Sequence, residues 1–149
     1  MVKDQRAEMQ EYLAVLQAAK NRLEYLTPND WALLLDKATR RSFAPGNQLI
    51  QLHKKNPDII FVVKGSARIV SSRGWQIASV RAGEILGEMA FLEGTKPSAT
   101  VVADEPVEAY SISWAAMHEL FDLYPHLGSR FYRSVAVSLS RRLRQQISE

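Results

Sequence analysis

The sequence RAGEILGEMAFLEGTKPSATVV, residues 81–102, decides the fold of this chain. It begins with a turn around Gly83, continues through a short apolar segment to Gly87 and Glu88, and then gives one apolar helical turn. A loop leads to residues 99–102, which have the composition of a strand. A glycine at the start of a short helix lets backbone amides approach an anion, and a carboxylate beside it can accept hydrogen bonds from ligand hydroxyl groups. The stretch therefore predicts a small-molecule site.

This stretch resembles the phosphate-binding cassette of cyclic-nucleotide-binding domains, the family of the cyclic AMP receptor protein, protein kinase A regulatory subunits and cyclic-nucleotide-gated channels. The matching segments are GEMAFL at 87–92, GT at 94–95 and SATV at 98–101. In that family the glutamate binds the ribose 2′-hydroxyl and a loop arginine binds the cyclic phosphate. The resemblance implies a ligand-binding set of eight residues: Gly87, Glu88, Met89, Ala90, Lys96, Ser98, Ala99 and Thr100.

The loop departs from the family at Pro97, which stands where the family has its arginine. Proline has no charge and no backbone N–H, and the neighbouring Lys96 is a point charge instead of a planar fork. Losing one partner of a buried charged hydrogen bond costs about 2–5 kcal/mol, or roughly thirtyfold to several thousandfold in affinity. The sequence therefore leaves two possibilities open: a site that binds cyclic AMP or cyclic GMP, and a pocket that no longer binds a cyclic nucleotide.

Composition indicates an ordinary soluble protein of one domain. Of the 149 residues, 46% are hydrophobic and 23% are charged, and cysteine is absent. Disulfide frameworks, thiolate zinc sites and cysteine nucleophiles are thereby excluded. No apolar run approaches the roughly 18 residues of a membrane span, and the N-terminus lacks the apolar core of a signal peptide. We expect a cytoplasmic protein with no membrane span and no cofactor.

Apolar periodicity predicts helices at both ends and short strands between them. We expect one domain over residues 1–149, with N-terminal helices in 1–39, a β unit in 40–113 that contains the cassette at 83–101, and a hinge with C-terminal helices in 114–149. The first helix is predicted to run from about residue 4 to 26. The spacing alone does not separate a jelly roll from other barrels. The family resemblance, over roughly residues 26–143, implies a mainly β protein: an eight-stranded jelly-roll barrel with flanking helices and a long C-terminal helix.

The last helix carries apolar residues at steps of four, with no core left to cover their far end: Leu127, Phe131, Val135, Leu139, Leu143 and Ile147. Such a stripe is typical of an oligomer seam, so we expect a homodimer through this helix. Five arginines and one glutamate follow residue 126, and a solvated helix face is favoured over a nucleic-acid footprint. In the family's bacterial transcription factors a DNA-binding domain follows this helix, and we expect none in this chain.

The sequence favours signal transduction over catalysis. Its histidines, His53, His118 and His126, lack metal-ligand spacing, and no nucleophile elbow is present. We predict a non-catalytic regulatory domain that senses a cyclic nucleotide or a related anion and relays occupancy through its last helix. The alternative is a degenerate cyclic-nucleotide-binding fold that binds no cyclic nucleotide and serves as a protein-interaction or dimerisation module. In the family the last helix caps the base, which makes Tyr132 and Ser134 weaker candidates.

Overall fold

The computed structural model describes residues 10–11, 14–16, 23–55 and 57–148. Its strands are β1 Thr39–Phe43, β2 Gln48–Ile50, β3 Ile59–Lys64, β4 Ser66–Ser71, β5 Gln76–Arg81, β6 Ile85–Leu86, β7 Ala99–Ala103 and β8 Val107–Ile112. Its longer helices are α1 Pro28–Lys37, α2 Glu88–Glu93, α3 Trp114–Leu123 and α4 Pro125–Ser148. Residues 10–11 and 14–16 are also helical.

The strands form two antiparallel four-stranded sheets, in the orders β1-β8-β3-β6 and β2-β7-β4-β5. Partners lie far apart in the sequence: Ile59 on β3 is opposite Ile112 on β8, and Ile69 on β4 is opposite Val101 on β7. The predicted mainly β jelly roll with flanking helices is confirmed. No helix in the described part of the chain has the length and apolar character needed to cross a membrane.

Strand β3 is buried on both faces because it separates two cores. Ile60 and Val62 face the core between the sheets, whereas Ile59 and Phe61 face the core under the helices. Successive side chains of a strand point to opposite faces, so a strand between two cores is a continuous apolar run. Trp31 of α1 meets Phe61 edge to face, with ring centroids 5.4 Å apart. The helices thereby pack directly on the sheet that ends in β6.

Two helices begin at side-chain caps. Thr27 and Asp30 form a capping box at the start of α1, in which each side chain accepts a hydrogen bond from the other residue's backbone amide. Ser113 accepts from the Ala116 amide and caps α3. Tyr124 ends α3, and α4 begins at Pro125, a position where the missing N–H is harmless.

The predicted first helix ends too late. Residues 23–26 form a turn instead of continuing that helix, and residues 4–9, 12–13 and 17–22 of the prediction lie outside the described residues. Strand β1 gives little apolar signal in the sequence, because four of its five residues are exposed. Strand β2 ends at Ile50, and His53 shortly after it turns with φ of 63° and donates its amide to the Pro97 carbonyl at 3.1 Å.

Helix α4 packs only its first half against the body of the domain. Leu127, Phe131 and Val135 are at most 1% exposed, whereas Leu143 and Ile147 are 58% and 76% exposed. The arginines of this helix have partners within the chain: Arg130 with Asp30, Arg133 with the Tyr25 ring, Arg141 with Glu24 and Arg142 with Glu84. These pairs support the interpretation of the charge run as a structural and solvated face.

Candidate ligand site

Helix α2 begins at a position that only glycine occupies without strain. Gly87 has φ of 82°, and a Cβ built there would lie 2.7 Å from the carbonyl oxygen of Asp58. Any side chain would therefore clash with backbone in addition to adopting a left-handed conformation. The glycine lets the chain just ahead of β3 lie directly against the start of α2.

Glu88, the first residue of α2, is buried and incompletely paired. It is only 6% exposed, and its Oε2 atom accepts no hydrogen bond from any residue that the structure describes. Burial raises the pKa of this carboxyl group, while a hydrogen bond from its own backbone amide and the charge of Arg142 act in the opposite direction. A buried acceptor without a donor carries a desolvation penalty. A ligand hydroxyl at Oε2 would remove that penalty.

Two adjoining cavities meet at Glu88. The first, about 350 Å³, lies over α2 and the loop that follows it; the second, about 280 Å³, lies between β5, β6 and Arg142 of α4. Their shared walls are Ile69, Leu86, Glu88 and Met89. Together they are large enough for a small organic ligand, which such cavities of several hundred Å³ commonly hold.

The structure brings seven of the eight predicted site residues together. Those that line the first cavity are Gly87, Glu88, Met89, Ala90, Lys96, Ser98 and Ala99. Thr100 does not line it; its hydroxyl accepts a hydrogen bond from the Leu52 amide at 3.4 Å, which fastens the chain after β2 to β7. Pro97 is buried in the cavity wall, and Lys96 and Ser98 are exposed at its edge.

Three charged residues of the cavities were not predicted from the sequence. Glu93, at the end of α2, lines the first cavity, and Glu84 and Arg142 line the second. The Arg142 guanidinium lies 3.7 Å from the Glu84 carboxylate, whose other oxygen accepts a hydrogen bond from the Arg81 amide at 2.8 Å. No local pattern marks Arg142, because only the packing of α4 over the barrel brings it to the cavity.

Phe91 connects α2 to the two C-terminal helices. Its ring lies 5.8 Å from that of Trp114 on α3 and 6.2 Å from that of Phe131 on α4, both edge to face, and it stacks on Tyr132 at 6.4 Å. Ser134 accepts a hydrogen bond from the Tyr25 amide, so its hydroxyl group joins α4 to the chain ahead of α1. Because Glu88 and Phe91 share one short helix, a displacement of Glu88 reaches the aromatic cluster directly.

Comparison with known proteins identifies the family in which this arrangement of residues occurs. The sequence profile of the cyclic nucleotide-binding domain matches residues 40–124. The chain belongs to the cyclic-nucleotide-binding-domain family. Domains of this family are regulatory and mostly non-catalytic. Among the described residues, no group of three histidine, aspartate or glutamate side chains is placed to hold a metal ion.

The similar proteins include both binding proteins and enzymes. Cyclic GMP-binding protein C of Dictyostelium discoideum is 27% identical over 128 residues, which cover 83% of this chain and 5% of that protein. Glutaminase 2 of Bradyrhizobium diazoefficiens is 29% identical over 121 residues, which cover 81% of this chain and 19% of the enzyme. The chain thus spans less than a fifth of these two relatives.

A solved structure supports the fold. The cyclic nucleotide-binding domain from Methylobacillus flagellatus superposes with a TM-score of 0.78 at 21% sequence identity. The match covers 93% of this chain and 80% of that one. It therefore extends beyond the barrel to most of the flanking helices.

Proposed function

We propose that this chain is a non-catalytic, cytoplasmic regulatory domain that binds a ribose-bearing, nucleotide-like ligand at Glu88. The observation that carries the proposal is the buried Oε2 of Glu88, which lacks a donor and lies where the two cavities meet. Ribose hydroxyl groups supply such donors. A hydrogen bond to a charged group contributes about 1.5–3 kcal/mol, so this contact is strong enough to anchor a ligand.

The domain transmits occupancy through α2 and α4. A ligand at Glu88 orders the helix that also carries Phe91, and Phe91 packs on Trp114 of α3 and Phe131 of α4. Arg142 gives α4 a second, direct contact with the cavity. A ligand shifts a conformational equilibrium only by its differential affinity for the two states. Because α4 contributes to the wall, its position determines how many contacts the ligand gains.

Titration calorimetry with adenine and guanine ribonucleotides and ribonucleosides tests this proposal. Glu88→Gln should weaken binding of whichever ligand binds by about tenfold to a hundredfold, since it replaces a charged acceptor. Glu119→Gln, an exposed carboxylate on α3, is the matched control and should leave the affinity unchanged. Equal affinities of the Glu88→Gln protein and the wild type would contradict a role for Glu88 as the anchor.

An interaction module that binds no small ligand is the second candidate. Pro97 favours it, because this buried residue offers neither charge nor N–H at the edge where the family has its arginine. The exposed Leu143 and Ile147 suit a homodimer through α4 under either function. Absence of heat with every ligand at millimolar concentration, together with a stable dimer, would favour this second candidate.

A further inference from the structure

We propose that the ligand is a ribonucleoside without a phosphate, held at its ribose by Glu88 and at its base by Arg142. This inference rests on the proposed function and narrows it to one chemical class. It follows from the charges that line the two cavities and from their positions relative to Pro97.

The charges of the joined cavities disfavour an anion. Three carboxylates line them, those of Glu84, Glu88 and Glu93, against two cations among the described residues, Lys96 and Arg142. A phosphate bound there would add negative charge to a site in which carboxylates already outnumber cations, and like charges repel each other. A neutral ribose meets the same carboxyl group with hydrogen-bond donors only.

At Pro97 itself the wall of the cavity offers no donor to a phosphate. The Pro97 nitrogen carries no hydrogen, and its carbonyl oxygen already accepts the His53 amide at 3.1 Å. Ile50 and Val101 belong to the same cavity wall, whereas Lys96 and Ser98 are exposed. An ionised group that contacts this apolar part of the wall loses hydration that Pro97 does not replace. An uncharged sugar hydroxymethyl group loses far less there.

Arg142 provides the contact for a planar base. Its guanidinium lies 3.7 Å from Glu84, which exceeds a hydrogen-bond length, and it lines the second cavity together with Ile69 and Leu86. A guanidinium group stacks on flat rings and donates to the acceptor edge of a purine. The aliphatic walls and this fork together suit a base better than a second sugar.

The test is a calorimetric panel with the wild-type chain: adenosine, guanosine, cyclic AMP, cyclic GMP and the 2′-deoxynucleosides. We expect at least one ribonucleoside to bind tenfold or more tightly than its cyclic phosphate, and its 2′-deoxy analogue to bind at least tenfold more weakly. Pro97→Arg should strengthen binding of the cyclic nucleotide by about thirtyfold or more, because it places a guanidinium in the cavity wall. Pro45→Arg, which adds the same charge in an exposed turn, is the matched control and should change nothing.

Each other outcome overturns a defined part of the inference or of the proposed function. A cyclic nucleotide that binds the wild type more tightly than the nucleoside overturns the inference and leaves the proposed function standing. Equal binding of ribonucleosides and 2′-deoxynucleosides overturns the assignment of the ribose to Glu88. No binding of any compound at millimolar concentration overturns both the inference and the proposed function. Because the wild type alone decides these outcomes, a Pro97→Arg protein that fails to fold does not rescue the inference.

Discussion

The carboxyl group of Glu88 is held away from water at the first turn of a six-residue helix. Its burial is unfavourable for the free domain, since Oε2 has no donor among the described residues. Binding sites often keep such groups, because the missing hydrogen bond is supplied by the ligand and stabilises only the complex. In the proposed function, the stability of the free domain and its affinity for the ligand are thus opposed at this residue.

Glu88→Gln should stabilise the free domain at neutral pH. Because burial raises the folded-state pKa of Glu88, its contribution to stability is fully present below the unfolded-state pKa and is lost as the pH rises through the folded-state pKa. The variant should therefore exceed the wild type by on the order of 1 kcal/mol at pH 7.5 and lose that advantage toward pH 4. Urea unfolding at both pH values measures it. A variant less stable than the wild type at pH 7.5 would make Glu88 a structural residue.

In the proposed function, helix α2 is the element that joins the ligand contact to the rest of the domain. It carries Glu88 at its first turn and Phe91 within the same six residues. Phe91 is 5% exposed and contacts rings on both α3 and α4. Aromatic pairs of this kind contribute about 0.5–1.5 kcal/mol each beyond their buried area. In the proposed function, a change of α2 reaches the C-terminal helices through these ring contacts.

Phe91→Leu should separate binding from transmission. Leucine keeps most of the buried volume but loses the edge-to-face contact with Trp114, so ligand affinity should change less than about threefold. The ligand-induced shift of the Trp114 resonance in fluorotryptophan-labelled protein should fall to half or less. Leu92→Ala, on the exposed side of α2, serves as the control. An unchanged Trp114 shift in the Phe91→Leu protein would show that the signal takes another route.

The secondary structure was predictable where one local signal dominates. Apolar periodicity predicted helices at both ends and strands between them, because burial leaves a direct trace in sequence, as in the apolar run of β3. Strand β1 leaves none, since its pairing with β8 is its main stabilisation and its side chains are exposed. The cassette residues were found through their motif, whereas Arg142 depends on a tertiary contact that no motif encodes.

At the scale of the whole molecule, the chain ahead of α1 and α1 itself are fastened to α4. Asp30 accepts two hydrogen bonds from Arg130, at 2.6 and 2.8 Å, and Glu24 accepts two from Arg141, at 2.8 and 3.2 Å. The Tyr25 amide donates to Ser134 at 3.0 Å. These bonds cross between the two ends of the domain. They fix where α4 passes over the barrel, and hence where Arg142 lies.

Asp30→Ala should destabilise the domain at neutral pH, and this effect should disappear at acid pH. The hydrogen bonds from Arg130 lower the pKa of Asp30 despite its burial, so its contribution is present above the unfolded-state pKa and is lost as the pH falls through the folded-state pKa. Loss of the hydrogen bond that Asp30 accepts from the Thr27 amide costs about 1 kcal/mol, and loss of the ion pair with Arg130 adds to it. Asp36→Ala, an exposed residue of the same helix, is the control. Equal unfolding midpoints of the two variants at pH 7 would contradict this role.

The exposed end of α4 is the surface through which we expect two copies of the chain to form a dimer. Leu139 is partly buried against the domain's own core, so a charge there would disturb the monomer, whereas Leu143 and Ile147 are exposed. Leu143→Glu combined with Ile147→Glu should convert a dimer to a monomer in light scattering while leaving the melting temperature of the barrel nearly unchanged. A wild-type chain that stays monomeric at high concentration would remove the proposed α4 interface.

The most direct test of the Glu88 anchor is a calorimetric comparison of adenosine and cyclic AMP, each beside its 2′-deoxy analogue, on the wild type and on Glu88→Gln. If the buried carboxylate accepts the ribose hydroxyl, the compound that binds should lose about tenfold to a hundredfold in affinity when the 2′-hydroxyl is removed. That loss should be much smaller in the variant. Deoxy and ribo compounds that bind the wild type equally well would show that Glu88 does not hold the ligand.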